Sequence, residues 1–369
     1  MTKQHAKLSA SGSSRWLNCP GSVKAEEGIK EQRSKFADEG SAAHELAEQS
    51  LLQNMHPSNW LNEAFAEYPD FPVDQEMVDS IVIYRDFVNS LPGEKLIEQQ
   101  IDFSDWVPEG FGTSDALVIH KNTLHVVDLK YGKGVPVSPE NNSQAMLYAL
   151  GAYSFAEGLY DIKHVDITIV QPRLDHIETW RVSVEDLLKF GNEVRAKAEE
   201  ALAEEAPRVP GETQCRWCKA KATCPALKKM TDDSVMQFFD EPLESLNEDG
   251  LKTALDNKKL IMGWLDAVED LVKQRLTDGE GFPGYKLVAG RSTRSWANEA
   301  DASVALLERM EHDDAFVTKI ITPAQAEKKL GKAKAKDIQD LIAVSTGNPT
   351  LVPESDKRPS INITMEDFD

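Results

Sequence analysis

The chain has 369 residues and carries 41 basic against 62 acidic side chains, a formal net charge of −21. Such a length accommodates two domains or one large domain with appendages, and 41% hydrophobic with 28% charged residues is the balance of an ordinary soluble globular protein. No run approaches the roughly 18 apolar residues of a membrane span, and residues 1–7 lack the apolar core of a signal peptide, so a cytoplasmic location is expected. The acidic whole-molecule field excludes indiscriminate coating of nucleic acid but leaves room for a local basic groove.

Apolar spacing predicts a short helix over residues 9–19, ending at Cys19-Pro20, and a second helix over 36–53 with Gly40 and His44 in its first half. A third helix over 75–91 is stopped by Pro92-Gly93. Residues 95–103 and 114–120 read as strands, and His120-Lys121-Asn122 turns the chain into a further strand over 123–130. Ser138-Pro139 reads as the N-cap and first position of a helix reaching Gly158. Strand patterns return over 165–171 and 178–183. Ser183-Val184-Glu185-Asp186 then resembles a capping box for a long helix ending near Pro207.

Beyond Cys224 the pattern changes. Residues 249–276 predict one long helix, 284–289 a strand and 301–341 more helix. Residues 349–369 are rich in proline and polar side chains and read as a flexible tail. The expected class is α/β: a mixed central β-sheet flanked by helices, with a mostly helical C-terminal extension. The expected divisions are 1–230, 231–348 and 349–369.

Residues 112–148 carry the chemistry. Asp115 begins one strand and Asp128 lies on the next across a short turn, so hairpin pairing could bring their carboxylates together. Alternation puts Asp128 and Lys130 on one face and Leu129 in the opposite apolar layer. A carboxylate binds a hard divalent cation, and an ammonium beside it stabilises an attacking hydroxide. Asp-x-Lys alone is supplied often by chance and most often marks an exposed ion pair. Gln144 and Tyr148 stand four apart and share one helical face. Glu98, on the preceding strand, is a candidate outer carboxylate.

With Gly40 and His44, Gly112 and Asp115, Asp128 and Lys130, and Gln144 and Tyr148 in this order, the chain resembles the PD-(D/E)XK nuclease superfamily in its RecB-like branch. The resemblance covers about residues 9–230 and implies a restriction-endonuclease-like core. It implies that Asp115, Asp128 and the Leu129 carbonyl bind Mg2+ or Mn2+, with His44 a further ligand, since imidazole suits manganese better than magnesium. Lys130 would serve the nucleophilic water, Gln144 would reach the lysine or the phosphate, and Tyr148 would contact DNA.

All four cysteines bracket this block: Cys19 far upstream, then Cys215, Cys218 and Cys224 in a CxxC-x5-C cluster. Reducing conditions disfavour two disulfides, and four thiolates suit either tetrahedral zinc or an iron–sulfur cluster. Spacing alone favours zinc. One N-terminal cysteine with three C-terminal ones around a RecB-like domain resembles the iron–sulfur nucleases of the AddB type and of CRISPR adaptation. That implies a [4Fe-4S] staple joining the first helix to the end of a nuclease domain over 1–230.

Arg208, Arg216, Lys219 and Lys221 form a basic stretch inside the cysteine cluster, with Trp217 able to stack a base or to cover the cluster. Arg291 and Arg294 form a second phosphate-binding candidate, and Lys328–Lys336 a further basic run. The layout resembles bacteriophage-encoded nucleases of replication and recombination. It implies a metal-dependent DNA exonuclease, with a phage single-strand DNA-binding or annealing protein as a candidate partner of the tail, and a homo-oligomer as a candidate assembly. The alternatives are a non-catalytic DNA-binding scaffold and a zinc-stapled endonuclease or RNA-processing nuclease.

Overall fold

A computed structural model describes residues 6–29, 35–236 and 248–288, with isolated positions beyond. The chain divides into two compact units, Met1–Leu287 and Val288–Asp369, and the first holds nearly all described residues. Arg291, Arg294, the Lys328–Lys336 run and the 349–369 tail lie outside the described residues, as does nearly all of the helix expected over 301–341.

The first unit opens with two short helices, α1 (Ser13–Trp16) and α2 (Ser22–Ala25), in place of the single helix expected over 9–19. Two longer helices follow, α3 (Lys35–Leu52) and α4 (Gln75–Ser90), the latter capped by Asp74, whose side chain accepts the Met77 N–H at 2.8 Å. Strands β1 (Glu94–Asp102), β2 (Phe111–His120) and β3 (Thr123–Leu129) run as an antiparallel meander. Helix α5 (Ser143–Glu157) then crosses over to β4 (His164–Gln171), which pairs parallel to β3, and β5 (His176–Ser183) closes the sheet antiparallel to β4. The order β1-β2-β3-β4-β5 gives the mixed sheet expected from the strand patterns.

Helices α6 (Val184–Leu202), α7 (Glu212–Arg216), α8 (Pro225–Met236) and α9 (Glu248–Thr277) complete the unit. The Ser183 cap of α6 forms as its sequence predicts, accepting the Asp186 N–H at 3.1 Å. Two further expectations fail. The helix predicted from Ser138-Pro139 starts four residues later, because Asn141 adopts a left-handed φ of 53° and Asn142 supplies the cap, accepting the Ala145 N–H at 3.1 Å. No strand forms over residues 284–288, where Gly284 at φ 80° ends a turn and no neighbouring strand is present to pair with them among the described residues.

The sheet is covered on both faces. Helices α1, α5 and α6 seal one core with Leu117, Leu124, Val126 and Ile167, and α3 and α4 seal the other with Ala116, Val127, Leu129 and Val170. A sheet buried on both faces requires near-continuous apolar strands. Residues 116–119 and 124–129 meet that demand except at the half-buried His125 and at Asp128, a charged group only 5% exposed.

The N-terminal helices are sewn to the segment after α6. Gly21 N–H donates to the Pro207 carbonyl at 2.8 Å, Lys24 Nζ to the Glu204 carbonyl at 3.0 Å, and Lys219 N–H to Glu26 Oε1 at 2.8 Å. A Cβ on Gly21 would stand 2.6 Å from the Ala206 carbonyl oxygen, so only glycine permits this approach. Gly21→Ala is expected to lower stability by about 1–3 kcal/mol through overpacking against backbone, read as a lower urea midpoint. An unchanged midpoint would refute the close-approach account.

Candidate metal centre and cysteine cavity

The β1–β2 ladder pairs Ile97 with Ala116 and Gln99 with Ser114, which sets Glu98 directly across from Asp115. The β2–β3 ladder ends at Ala116 with Val127, and continuing its register sets Asp115 across from Asp128. Three carboxylates therefore share one row of the sheet. Like charges in facing positions destabilise a sheet, and pairing is interrupted at this row.

Two distortions accompany it. Glu98 adopts a left-handed φ of 48°, which for a non-glycine residue costs about 1–3 kcal/mol. Ile97 packs under α3 and α4 while Ile101, an even number of positions on, packs under α5, so β1 changes face between them. β2 changes face as well: Leu117 lies in the α5 core, and so does the contact that Gly112, five residues away, makes with Tyr148. Where the strands splay, the Asp115 carboxylate substitutes for a ladder carbonyl and Oδ2 accepts the Leu129 N–H at 2.7 Å.

Side chains from two helices and from the residue after β3 close on this row. His44, from α3, brings Nδ1 to 3.4 Å from Asp115 Oδ1, and His44, Glu98 and Asp115 each offer a ligand atom within 4.8 Å of the others. Lys130 follows β3 directly and places Nζ 3.1 Å from Asp128 Oδ1 and 2.9 Å from Oδ2. The hydrogen bond goes to Oδ1, whereas Oδ2 is buried, in charge contact but with no aligned donor. Lys130 also donates to Gln144 Oε1 at 3.3 Å, and Gln144 Nε2 reaches Tyr148 Oη at 3.5 Å, both from α5. The Tyr148 ring packs where a Cβ of residue 112 would lie, at 2.8 Å, which is the physical reason for glycine at that position. At Gly40 a side chain would meet open space.

The electrostatics separate the two aspartates. Burial raises both, but His44, the Leu129 N–H and Lys130 together hold Asp115 below its usual range. Asp128 stays above its usual range: burial dominates, the pull of Lys130 does not cancel it, and Asp115 adds repulsion. Burial disfavours charge on Lys130, yet the two aspartates outweigh it and hold the ammonium above its ordinary value. His44 follows the same logic, with burial opposed and overcome by Asp115. A buried carboxylate pushed up beside a second one, with an oxygen lacking a donor, fits a site completed by a divalent cation.

Sequence reasoning thus named Asp115, Asp128, Lys130, His44, Gln144 and Tyr148, and the fold brings all six to one row. Glu98 entered only as an outer candidate because strand register cannot be read from β1 alone. Tyr84 of α4 was missed: it is 1% exposed, and its hydroxyl has no hydrogen-bond partner among the described residues.

The four cysteines line one cavity together with Ser22, Arg208, Val209, Gln214 and Leu227. Val209 N–H donates to Cys19 Sγ at 3.2 Å and Gly211 N–H to Cys215 Sγ at 3.4 Å. The sulfurs are free thiols, and no three of them lie within 4.8 Å of one another. Burial pushes the Cys218 thiol up to about 11, so without a metal it is no nucleophile. Helix α9 supports the segment: Leu260 packs with Cys215 and Leu227, and Trp264 Nε1 donates to the Ala222 carbonyl at 3.3 Å. Among the basic candidates, Arg208 lines the cavity, Lys221 Nζ donates to the Arg216 carbonyl at 3.2 Å, and Trp217 is 75% exposed with the Arg216 guanidinium 5.2 Å from its ring.

The fold and site define an α/β protein with a set of residues able to hold a metal. The family described as "Protein of unknown function (DUF2800)" matches residues 5–359, and the chain belongs to it. A solved structure titled "Crystal structure of SSO0001" aligns over 61% of this chain and 89% of its own, with 15% identity and a TM-score of 0.27, too low for it to bear on fold or function. No helix of the described residues is long and apolar enough to cross a membrane.

In the metal-free protein the His44 titration midpoint is expected above the ordinary value of about 6.5. Because folding raises it, His44 contributes stability that is complete below about pH 6.5 and is lost as pH rises through the folded midpoint. Asp115→Asn removes the main opposing charge and leaves burial, so the midpoint should fall in an NMR titration of the imidazole protons. A midpoint that does not move would show that Asp115 does not govern His44.

Proposed function

We propose that this chain is a Mg2+- or Mn2+-dependent nuclease that hydrolyses phosphodiester bonds at DNA ends. The observation that carries the proposal is the carboxylate row with Lys130 held against it. His44, Glu98, Asp115, Asp128 and the Leu129 carbonyl are the residues that would hold the ion, and the imidazole favours manganese over magnesium. When bound, such an ion supplies a water deprotonated near neutral pH and neutralises charge at the scissile phosphate.

The chain's own groups do the rest. Lys130 stays a cation, and its position between Asp128 and Gln144 fixes the ammonium for a hydroxide or phosphate oxygen approaching the row. Gln144 and Tyr148 limit where the lysine can swing. A DNA-binding scaffold has no need to hold three carboxylates and a lysine together in one row, where like charges repel, and this favours catalysis over the scaffold reading.

For the cysteine cavity we favour an iron–sulfur cluster over zinc. All four sulfurs line one cavity, the N–H donors from Val209 and Gly211 suit thiolate sulfur, and one N-terminal cysteine with three C-terminal ones is the arrangement of the iron–sulfur nucleases that the sequence resembles. Holding it would tie Cys19 to the segment after α6. That tie reaches the carboxylate row, because Ser13 Oγ on α1 hydrogen-bonds Ser143 Oγ at 2.7 Å, next to Gln144.

Release of nucleotides from an end-labelled duplex should require Mg2+ or Mn2+. Asp128→Ala and Lys130→Ala should each lower the rate by about 10²- to 10³-fold or more while leaving the circular dichroism of the fold intact. Wild-type protein inert with either metal on single- and double-stranded DNA would sink the nuclease reading. Anaerobically purified protein should be brown and contain iron, and Cys19→Ala should lose both colour and iron. A colourless protein with one equivalent of zinc would establish the zinc alternative instead.

A further inference from the structure

Tyr84 lies on the inner face of α4, in the core that also contains Ala116, Val127 and Leu129, the strand residues flanking the carboxylate row. It is 1% exposed, and its hydroxyl is buried with no hydrogen-bond partner among the described groups. An unsatisfied buried hydroxyl is destabilising, and phenylalanine would fill the same apolar volume without that cost. Packing therefore does not explain the oxygen. After burial, the charges that act on this phenol are Asp115, Glu98 and Asp128, in that order. All of them keep it protonated, a donor at any working pH. Glu98, the residue with the left-handed backbone, belongs to the same group, so the row lies within electrostatic reach of a donor that has no acceptor among the described residues.

We propose that Tyr84 is a positioning residue of the metal centre, whose hydroxyl donates to a ligand carboxylate of Glu98 or Asp115, or to a water on the ion, once the divalent cation is bound. This rests on the metal reading above and deepens it by adding an outer hydrogen bond from α4. Groups that orient metal ligands from outside are typically worth 10- to 100-fold in metal affinity. The role has a signature that packing lacks. Removing an unpartnered oxygen relieves the metal-free protein but weakens the loaded one, so stability and affinity move in opposite directions.

The test is Tyr84→Phe, with Ile81→Val on the same helix as the packing control, each titrated with Mn2+ alone by calorimetry and melted without metal. Tyr84→Phe is expected to melt at or above the wild-type temperature without metal and to bind Mn2+ at least tenfold more weakly. Ile81→Val should melt lower and bind as wild type does. Unchanged Mn2+ affinity in Tyr84→Phe, with wild-type binding intact, overturns the role of Tyr84 alone. A lower metal-free melting temperature in Tyr84→Phe also overturns it, because the oxygen then has a structural partner. Wild-type protein that binds no Mn2+ overturns the metal reading and this inference with it.

Discussion

Repulsion within one row of the sheet is the constraint on which the rest of the first unit depends. Glu98, Asp115 and Asp128 face one another across three strands, where a sheet ordinarily avoids like charges. The surrounding structure accommodates them: β1 takes a left-handed residue, β2 changes face, and the ladder opens so that Asp115 accepts the Leu129 N–H. Lys130 and His44 supply opposite charge from two sides. Strain and repulsion at one locus, inside otherwise regular packing, mark a candidate functional site.

The row is reached from elements far apart in sequence. α3 and α4 approach from one face with His44 and Tyr84, and α5 from the other with Gln144 and Tyr148. The face change in the strands lets one locus be addressed from both layers, which a regular pleat would prevent. α1 then links this locus to the cysteine cavity through the Ser13–Ser143 hydrogen bond. The cavity itself is buttressed by α9, a helix whose sequence gives no hint of that task.

Much of this was legible beforehand because it rests on local chemistry. Asp128 and Lys130 share a face by alternation, Gln144 and Tyr148 by helical spacing, and the Ser183 cap by a four-residue pattern. Gly112 looked like a motif residue and has a steric reason in the Tyr148 ring. The start of α5 was misread because Ser138-Pro139 is as good a cap in sequence as Asn142, and only the left-handed Asn141 decides between them. A strand near residue 284 failed for want of a partner, which no local pattern reports.

The sequence by itself determined which residues could do chemistry: two aspartates and a lysine at strand spacing, a histidine on a helix, four cysteines bracketing them. It also determined the order of helices and strands along the chain, since apolar periodicity is a short-range property. Only the tertiary structure decided that Glu98 stands opposite Asp115, that the strands exchange faces there, and that the Tyr84 hydroxyl is buried in the same core without a partner among the described residues. Register and burial are sums over contacts between distant segments, and a single strand or helix carries no record of what will be packed against it.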